Sequence, residues 1–300
     1  IKRLCRLSPP PLMLADAETM ADAETPRPRK RAVEWLLEGE SVRTNRHLAR
    51  FAAAPYLPRL LADPASSALL SRSSRSLRKE IIEAYGMLEQ VEATLHGAAP
   101  AAIVDLCCGS GFLSLALANE FPAAAVLMFD LDTRIRVRHD ASHPNLRFEV
   151  ADIMADGFGA RLGALLREAG GQRGGGPCVA VGMHLCGALS PRAISLFAAE
   201  PALDSLLLAP CCLDKRFDAA LKATARQLGR DPFECKVDQL REALEALPRV
   251  EVRVARDASF RTNRSAAEGG DGCKNAMIVG QRRAASGPDA PLCCLVCESE

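Results

Sequence analysis

The stretch Ala102-Ile103-Val104-Asp105-Leu106-Cys107-Cys108-Gly109-Ser110-Gly111-Phe112-Leu113-Ser114-Leu115-Ala116-Leu117-Ala118 decides the fold. An apolar run ends in an acid, Asp105. A turn of small residues follows, then a helical pattern with Leu113, Ala116 and Leu117 on one face. That order describes a buried parallel strand running into a tight loop and a helix N-terminus, where free backbone N–H groups are available to a ligand. The glycines restrict which ligand. A dinucleotide fingerprint needs Gly-x-Gly-x-x-Gly. With Gly109 as the second glycine, Cys107 and Phe112 stand where the first and third belong; with Gly109 as the first, Ser114 takes the last place. Neither register fits, which counts against a nicotinamide-dependent enzyme.

Outward from this stretch, short apolar runs alternate with helical patterns. Strands are expected at 102–106, 125–130, 146–151, 178–183 and 205–210, with a Gly-rich loop at 169–177 before the fourth. Such alternation predicts an α/β fold, a mostly parallel sheet with helices on both faces. Helical patterns near 215–229 and 233–247 come next. Val250–Val254 and Ala276–Val279 then read as a terminal antiparallel pair, joined by the polar, Gly-rich segment 258–274. Upstream, Leu77, Ile81, Tyr85, Leu88, Val91 and Leu95 keep helical spacing over 73–96, and Gly97 ends the helix. Residues 32–70 carry shorter helical patterns broken by Pro55, Pro58 and Pro64. Residues 15–26 repeat a hexamer and lead into the basic run Pro26–Arg31, a low-complexity opening. The expected organisation is therefore a low-complexity segment at 1–31, a helical extension at 32–72, the α/β domain at 73–283 and a flexible Cys-containing tail at 284–300.

Several chemistry-bearing residues fall at strand ends, on the side of an α/β sheet where ligands bind. The second strand delivers Asp130, an acid able to accept hydrogen bonds from both hydroxyls of a ribose. Asp132 is the rival position, with helix capping as its other use. The third strand ends at Asp152, placed to meet a base amino group. The fourth carries His184 and Cys186 to the sheet edge, and the fifth ends in Cys211 and Cys212 beside them. A lone histidine is commonly structural. His-Leu-Cys-Gly at a strand end, next to two further thiols, points to a substrate site.

These motifs bear a resemblance. The pattern Asp105-x-Cys107-x-Gly109-x-Gly111 resembles the S-adenosylmethionine loop of the Rossmann-like class I methyltransferases. Met183-His184-Leu185-Cys186-Gly187, Pro210-Cys211-Cys212 and the run Phe129–Asp140 are similar to motifs of the family that includes the eukaryotic tRNA acceptor-stem 2′-O-ribose methyltransferases. The similarity covers roughly residues 75–280. It implies a Rossmann-like methyltransferase sheet with the terminal antiparallel pair, whereas a plain dinucleotide-binding sheet would stay parallel. It implies S-adenosylmethionine as cofactor, held by Asp105, Cys107, Gly109, Gly111, Asp130 and Asp152. It implies tRNA or another RNA as acceptor, His184 as general base, and Cys186, Cys211 and Cys212 lining the pocket. The chain departs from the family at three points: Met183 stands where the family has Lys, Leu213-Asp214 replaces His-His, and 1–100 contains no counterpart of the family's zinc-binding segment. These departures keep open a cofactor-binding but inactive partner module, and an acceptor that is protein or a small molecule.

Composition sets the outer limits. Of 300 residues, 48% are hydrophobic, enough for a sizeable core, and the net charge is +1. Residues 1–100 hold 15 basic and 12 acidic side chains, and 101–300 hold 23 and 25. The α/β domain is therefore not an overall basic nucleic-acid binder, and RNA contacts would be local. Arg72, Arg75, Arg78 and Lys79, with Arg134, Arg136 and Arg138, are the local candidates. The 12 cysteines include three adjacent pairs, a placement that suits free thiols in a reducing, intracellular compartment, cytoplasmic or nuclear. No metal site is expected, because adjacent cysteines chelate poorly together and Cys294-x-x-Cys297 has no second half. No apolar run reaches the length of a membrane span.

Overall fold

The computed structural model describes residues 32–71, 73–132, 143–173, 175–259 and 275–283. Five short helices come first: α1 (Ala32–Glu38), α2 (Glu40–Thr44), α3 (Arg46–Ala52), α4 (Leu57–Ala62) and α5 (Pro64–Leu70). Local chemistry sets their limits. Asn45 caps α3 by accepting the His47 and Leu48 N–H groups at 3.0 and 3.1 Å. Asp63 caps α5 through the Ser66 N–H, with Pro64 at the first helical position. The long helix α6 (Ser74–Leu95) follows. It ends at Leu95, two residues before Gly97, because His96 already turns left-handed, at φ 48°.

Alternation then begins: β1 (Ala102–Leu106), α7 (Phe112–Glu120), β2 (Ala125–Asp130), β3 (Leu146–Val150), α8 (Phe158–Arg173), β4 (Cys178–Met183), α9 (Leu189–Ala199) and β5 (Ser205–Ala209). The chain closes with α10 (Ala219–Gln227), α11 (Pro232–Glu245), β6 (Val250–Arg256) and β7 (Ala276–Arg282). The sheet order is β3-β2-β1-β4-β5-β7-β6. β1 to β5 pair in parallel, and β7 runs antiparallel between β5 and β6. This is the Rossmann-like methyltransferase arrangement, with the antiparallel insertion that a plain dinucleotide sheet lacks.

Strand residues alternate between two cores. On one face Ile103, Val126, Met128, Val179, Val181, Leu207 and Val279 pack with α6 and α7. On the other, Val104, Leu127, Phe129, Ala180, Leu206, Leu208 and Ile278 pack with α8, α9 and α11. The short helices join the first core through Val33, Leu36, Leu48, Phe51, Leu57 and Leu60. Residues 32–70 therefore share their buried surface with α6 and one face of the sheet. Among the described residues, no helix is long and apolar enough to cross a membrane.

β1 lies between β2 and β4. The chain leaves β1 toward one side of the sheet and reaches the other side only at β4. In open α/β sheets this change of direction opens a crevice at the carboxyl ends of the strands.

Candidate functional site

The loop after β1 is built from unusual backbone. Cys107 has φ 57°, Gly109 φ 53° and Gly111 φ 79°, all left-handed. Glycine adopts this freely, whereas a cysteine held there costs energy that the surrounding structure must cover. Asp130, at the end of β2, holds the loop: one carboxylate oxygen accepts the Gly109 N–H at 2.9 Å, the other the Asp132 N–H at 2.9 Å. A Cβ on Gly109 would have no protein atom within 4 Å, so the missing side chain faces open space.

That space is a cavity of about 650 Å³ at the crevice. The β1 loop contributes Asp105, Cys107, Cys108, Gly109 and Ser110 to its lining. Met183 and His184 line it from β4, Asp132 from the end of β2, and Lys79, Glu80 and Glu83 from α6. The volume falls within the range of small-molecule and cofactor sites. Leu131, Val150 and Met154 leave apolar surface exposed at the ends of β2 and β3.

The sequence candidates divide accordingly. Asp105, Cys107, Gly109 and His184 are among the lining residues; Gly111, Asp130 and Asp152 are not. Gly111 starts α7 as its N-cap. Asp130 anchors the loop, and Asp152 accepts the Met154 N–H at 2.9 Å. Asp132, the weaker sequence candidate, is the acid of that pair that lines the cavity. Cys186, Cys211 and Cys212 do not line the cavity with His184; their sulfurs meet one another instead. Leu213 and Asp214 are not among the residues that line the cavity. The Asp214 carboxylate accepts the Arg216 and Phe217 N–H groups, a turn-forming use.

His184 has φ 64°, a second strained residue directly across the crevice from Cys107 in the strand order. Its Nε2 lies 3.0 Å from Glu83 Oε2, and Lys79 Nζ lies 3.3 Å from Glu83 Oε1. Glu83 is only 4% exposed. A buried carboxylate that fixes one imidazole nitrogen leaves the other directed elsewhere, the arrangement of an oriented base. Sequence reading missed Glu83 and Glu80 and assigned Lys79 to a basic surface. A signal existed: Glu83 interrupts the buried run Ile81-Ile82-Glu83-Ala84-Tyr85, and an acid in such a run needs a partner.

Electrostatics separate the acids from the thiols. Burial pushes Asp105 up to about 7, against the hydrogen bond from Ser114 Oγ at 2.5 Å, with the Asp130 charge adding to the rise. Burial, with Asp130, Asp105 and Asp152 nearby, pushes the Cys107 thiol up to about 12. The Cys108 thiol is raised too, by burial first and then by Asp105, Asp130 and Cys107. Both are neutral at physiological pH, which argues against a nucleophilic cysteine in this loop.

A second cavity of about 900 Å³ shares the lining residue Lys79 with the first and has Arg75, Arg78, Ile82, Trp35 and Asn45 among its other lining residues. Arg72, Arg134, Arg136 and Arg138 lie outside the described residues.

Residues 78–216 match the model of a family described as a methyltransferase domain. The matched stretch spans β1 to β5 and most of α6. No curated protein matches the chain. Among solved structures, it is similar to an O-methyltransferase family protein from Burkholderia thailandensis: 13% identical, over 79% of this chain and 70% of that one, TM-score 0.39. It is also similar to the plantazolicin methyltransferase BpumL in complex with SAH, 13% identical over 84% and 99%, TM-score 0.41. A third is the CurJ carbon methyltransferase, 13% identical over 84% and 67%, TM-score 0.42. At this level of likeness nothing about the acceptor passes from them to this chain.

Proposed function

We propose that this protein is an S-adenosylmethionine-dependent methyltransferase that transfers the methyl group to a hydroxyl, with RNA ribose as the acceptor to test first. One observation carries the cofactor assignment: the β1 loop cradle, with its left-handed backbone and open Gly109, faces a cavity whose charged lining is mostly acidic. Glu80, Glu83, Asp105 and Asp132 line it, with Lys79 as the cation. Acids favour a ligand bearing a sulfonium and an ammonium, and they oppose the pyrophosphate of a dinucleotide. Lys79 is placed to meet a carboxylate. When bound, the cofactor supplies an electrophilic methyl group whose sulfur loses its positive charge as the methyl leaves.

The protein's part is alignment and proton removal. Holding an acceptor oxygen in line with the methyl supplies most of what such a displacement needs. His184, oriented by Glu83, takes the hydroxyl proton as the oxygen attacks. The second cavity supports an acceptor that carries phosphates, because Arg75 and Arg78 line it and it shares Lys79 with the first. The exposed Trp35 offers a face on which a base can stack.

Two measurements test this reading. Calorimetry with S-adenosylmethionine, its demethylated product and NAD should show binding of the first two only; binding of NAD alone overturns the cofactor assignment. Incubation with methyl-labelled cofactor and separated RNA, protein and metabolite fractions should label RNA. Label in another fraction moves the acceptor there, and cofactor binding without label in any fraction supports the inactive module.

A further inference from the structure

We propose that Cys186, Cys211 and Cys212 form a binding site for one thiophilic metal ion of the zinc class, with three thiolate ligands and a fourth position open to water or substrate. The three Sγ atoms lie within 4.8 Å of one another, and Cys186 Sγ is 3.2 Å from Cys211 Sγ. Two thiolates on one tetrahedral zinc, with Zn–S near 2.3 Å, stand about 3.8 Å apart. The 3.2 Å pair is about 0.6 Å short of that value and the other pairs are at most about 1 Å beyond it, so an ion fits with sulfur movements of about an ångström or less. Scattered thiols would serve a core equally well as small apolar groups. Convergence of three from two separate strand ends calls for a common ligand.

The loops that carry them are built to meet. Cys186 follows β4 and the Cys211-Cys212 pair follows β5, and these strands are parallel neighbours. Gly187 sits at φ 57°, where a Cβ would already be 3.4 Å from the Asp214 Cβ and 3.7 Å from the Phe217 Cβ. The second loop is held from below. Buried Asp218 accepts the Asp214 N–H at 2.7 Å and pairs with buried Lys236 at 2.8 Å. Lys222 Nζ donates to the carbonyls of Leu213 and Asp214, both at 3.1 Å. Its ammonium thereby ties α10 to the loop that follows the Cys211-Cys212 pair. On the other loop, Ser190 Oγ donates to the Leu185 carbonyl at 2.6 Å and holds the turn that carries Cys186; the contact of the Cys186 thiol with the His184 carbonyl at 3.3 Å is given up when the sulfur loses its proton to bind an ion.

The expectation of no metal site assumed that adjacent cysteines cannot gather enough ligands. Here the third ligand comes from another strand, 25 residues before Cys211. Among the described residues no fourth His, Cys, Asp or Glu joins the group. Three protein ligands with one open position is the pattern of a zinc site that also binds water or substrate. An ion there would tie together the loops ending β4 and β5, two residues from His184.

The test uses the full-length protein, purified without chelator from zinc-supplemented medium. Elemental analysis should give about one zinc per chain. Cobalt(II) exchanged into the protein should show thiolate-to-cobalt charge-transfer absorption and the visible bands of a four-coordinate ion. Cys186→Ser, Cys211→Ser and Cys212→Ser should each weaken cobalt binding more than about tenfold, the lower end for loss of even an outer-shell partner. A variant with Cys273, Cys293, Cys294 and Cys297 all changed to Ser should keep the wild-type spectrum. The proposal is overturned if wild-type protein binds neither ion, if the spectrum survives in Cys186→Ser, if it vanishes in the four-serine variant, or if peptide mapping of fresh protein finds a Cys186–Cys211 disulfide. Calorimetric binding of S-adenosylmethionine is read separately, so failure of the metal site and failure of the methyltransferase reading are distinguishable.

Discussion

Glu83 on α6 and His184 after β4 are 101 residues apart in the chain, yet Glu83 Oε2 and His184 Nε2 lie 3.0 Å from each other. The contact joins a helix that precedes the sheet to the strand at which the sheet changes direction. It gives the imidazole a fixed orientation at the cavity where methyl transfer is proposed. His184→Ala should lower kcat by about 10²–10⁴, the usual worth of a positioned base. Glu83→Gln should lower it less, since the ring keeps a hydrogen-bond partner but loses the negative charge. Cofactor affinity by calorimetry should change little in either variant. If affinity and turnover fell together, the pair would be holding the cavity in shape instead of moving a proton.

Asp130 and Asp132 should fail in different ways. Asp130 organises the loop through the Gly109 and Asp132 N–H groups. Its loss in Asp130→Ala should weaken cofactor binding by about 1–3 kcal/mol, the scale of leaving buried donors unpaired. Gly109→Val should abolish binding, because its side chain would enter the open space at a φ of 53° that valine resists. Calorimetry on all three variants decides the order. A neutral Asp130→Ala beside a damaging Asp132→Ala would assign the ribose contact to Asp132.

Much of the frame was legible because strand and helix periodicity are local. The β1 strand, the glycine loop and α7 stand where the pattern puts them. Boundaries moved where pairing or chemistry overrode pattern. β5 stops at Ala209 because Pro210 has no N–H to give the ladder. β7 runs on through Gly280 and the polar Gln281 and Arg282, kept in register by pairing with β6. Arg282 also lies 4.6 Å over the Phe197 ring. The candidate site was legible only in part. His184 and the loop announce themselves by their place at strand ends. Glu83, Glu80 and the cavity role of Lys79 depend on how α6 docks, and periodicity alone does not carry that information. The meeting of Cys186 with Cys211 and Cys212 likewise depends on β4 and β5 being neighbours.

Asp105 should leave a pH signature on stability. Its carboxyl is buried and raised to about 7, while the unfolded chain ionises near the ordinary value of 3.8. Between these values the folded state binds more protons, so this group's contribution to stability falls as pH rises from about 4 to about 7 and is level above that. Asp105→Asn removes the titration. Urea denaturation at pH 5 and pH 8 should therefore show the variant gaining about 2–3 kcal/mol on the wild type between the two. Parallel pH curves for the two proteins would mean that Asp105 ionises normally in the folded state.

The buried pair of Lys236 and Asp218, 2.8 Å apart, should be costly to break and cheaper to replace whole. Lys236→Met leaves a buried carboxylate without its cation and should destabilise the protein by about 3–5 kcal/mol. Changing Asp218→Leu together with Lys236→Met should recover part of this loss, but not all, because the Asp214 N–H would still lack the acceptor that Asp218 provides. Chemical denaturation of the single and double variants measures both. A double variant no more stable than Lys236→Met would show that the loop hydrogen bond outweighs the ion pair.

The acceptor can be read from salt. If RNA is methylated, part of its affinity comes from cationic side chains displacing counterions from its phosphates, and binding weakens steeply as salt rises. The domain as a whole supplies no such field, since residues 101–300 hold 23 basic and 25 acidic side chains. The charge has to be local, and Arg75 and Arg78 line the cavity that shares Lys79 with the proposed cofactor site. Arg75→Ala and Arg78→Ala should each weaken RNA binding at low salt and reduce the slope of log affinity against log salt by about one. Neither change should alter S-adenosylmethionine affinity, because neither arginine is among the residues lining the first cavity. Trp35→Ala should lower RNA affinity with little effect on the slope, by about 1–3 kcal/mol if a base stacks on it. Turnover that is indifferent to salt and to both arginines would exclude a polyanionic acceptor and leave a protein or an uncharged small molecule as the methyl acceptor.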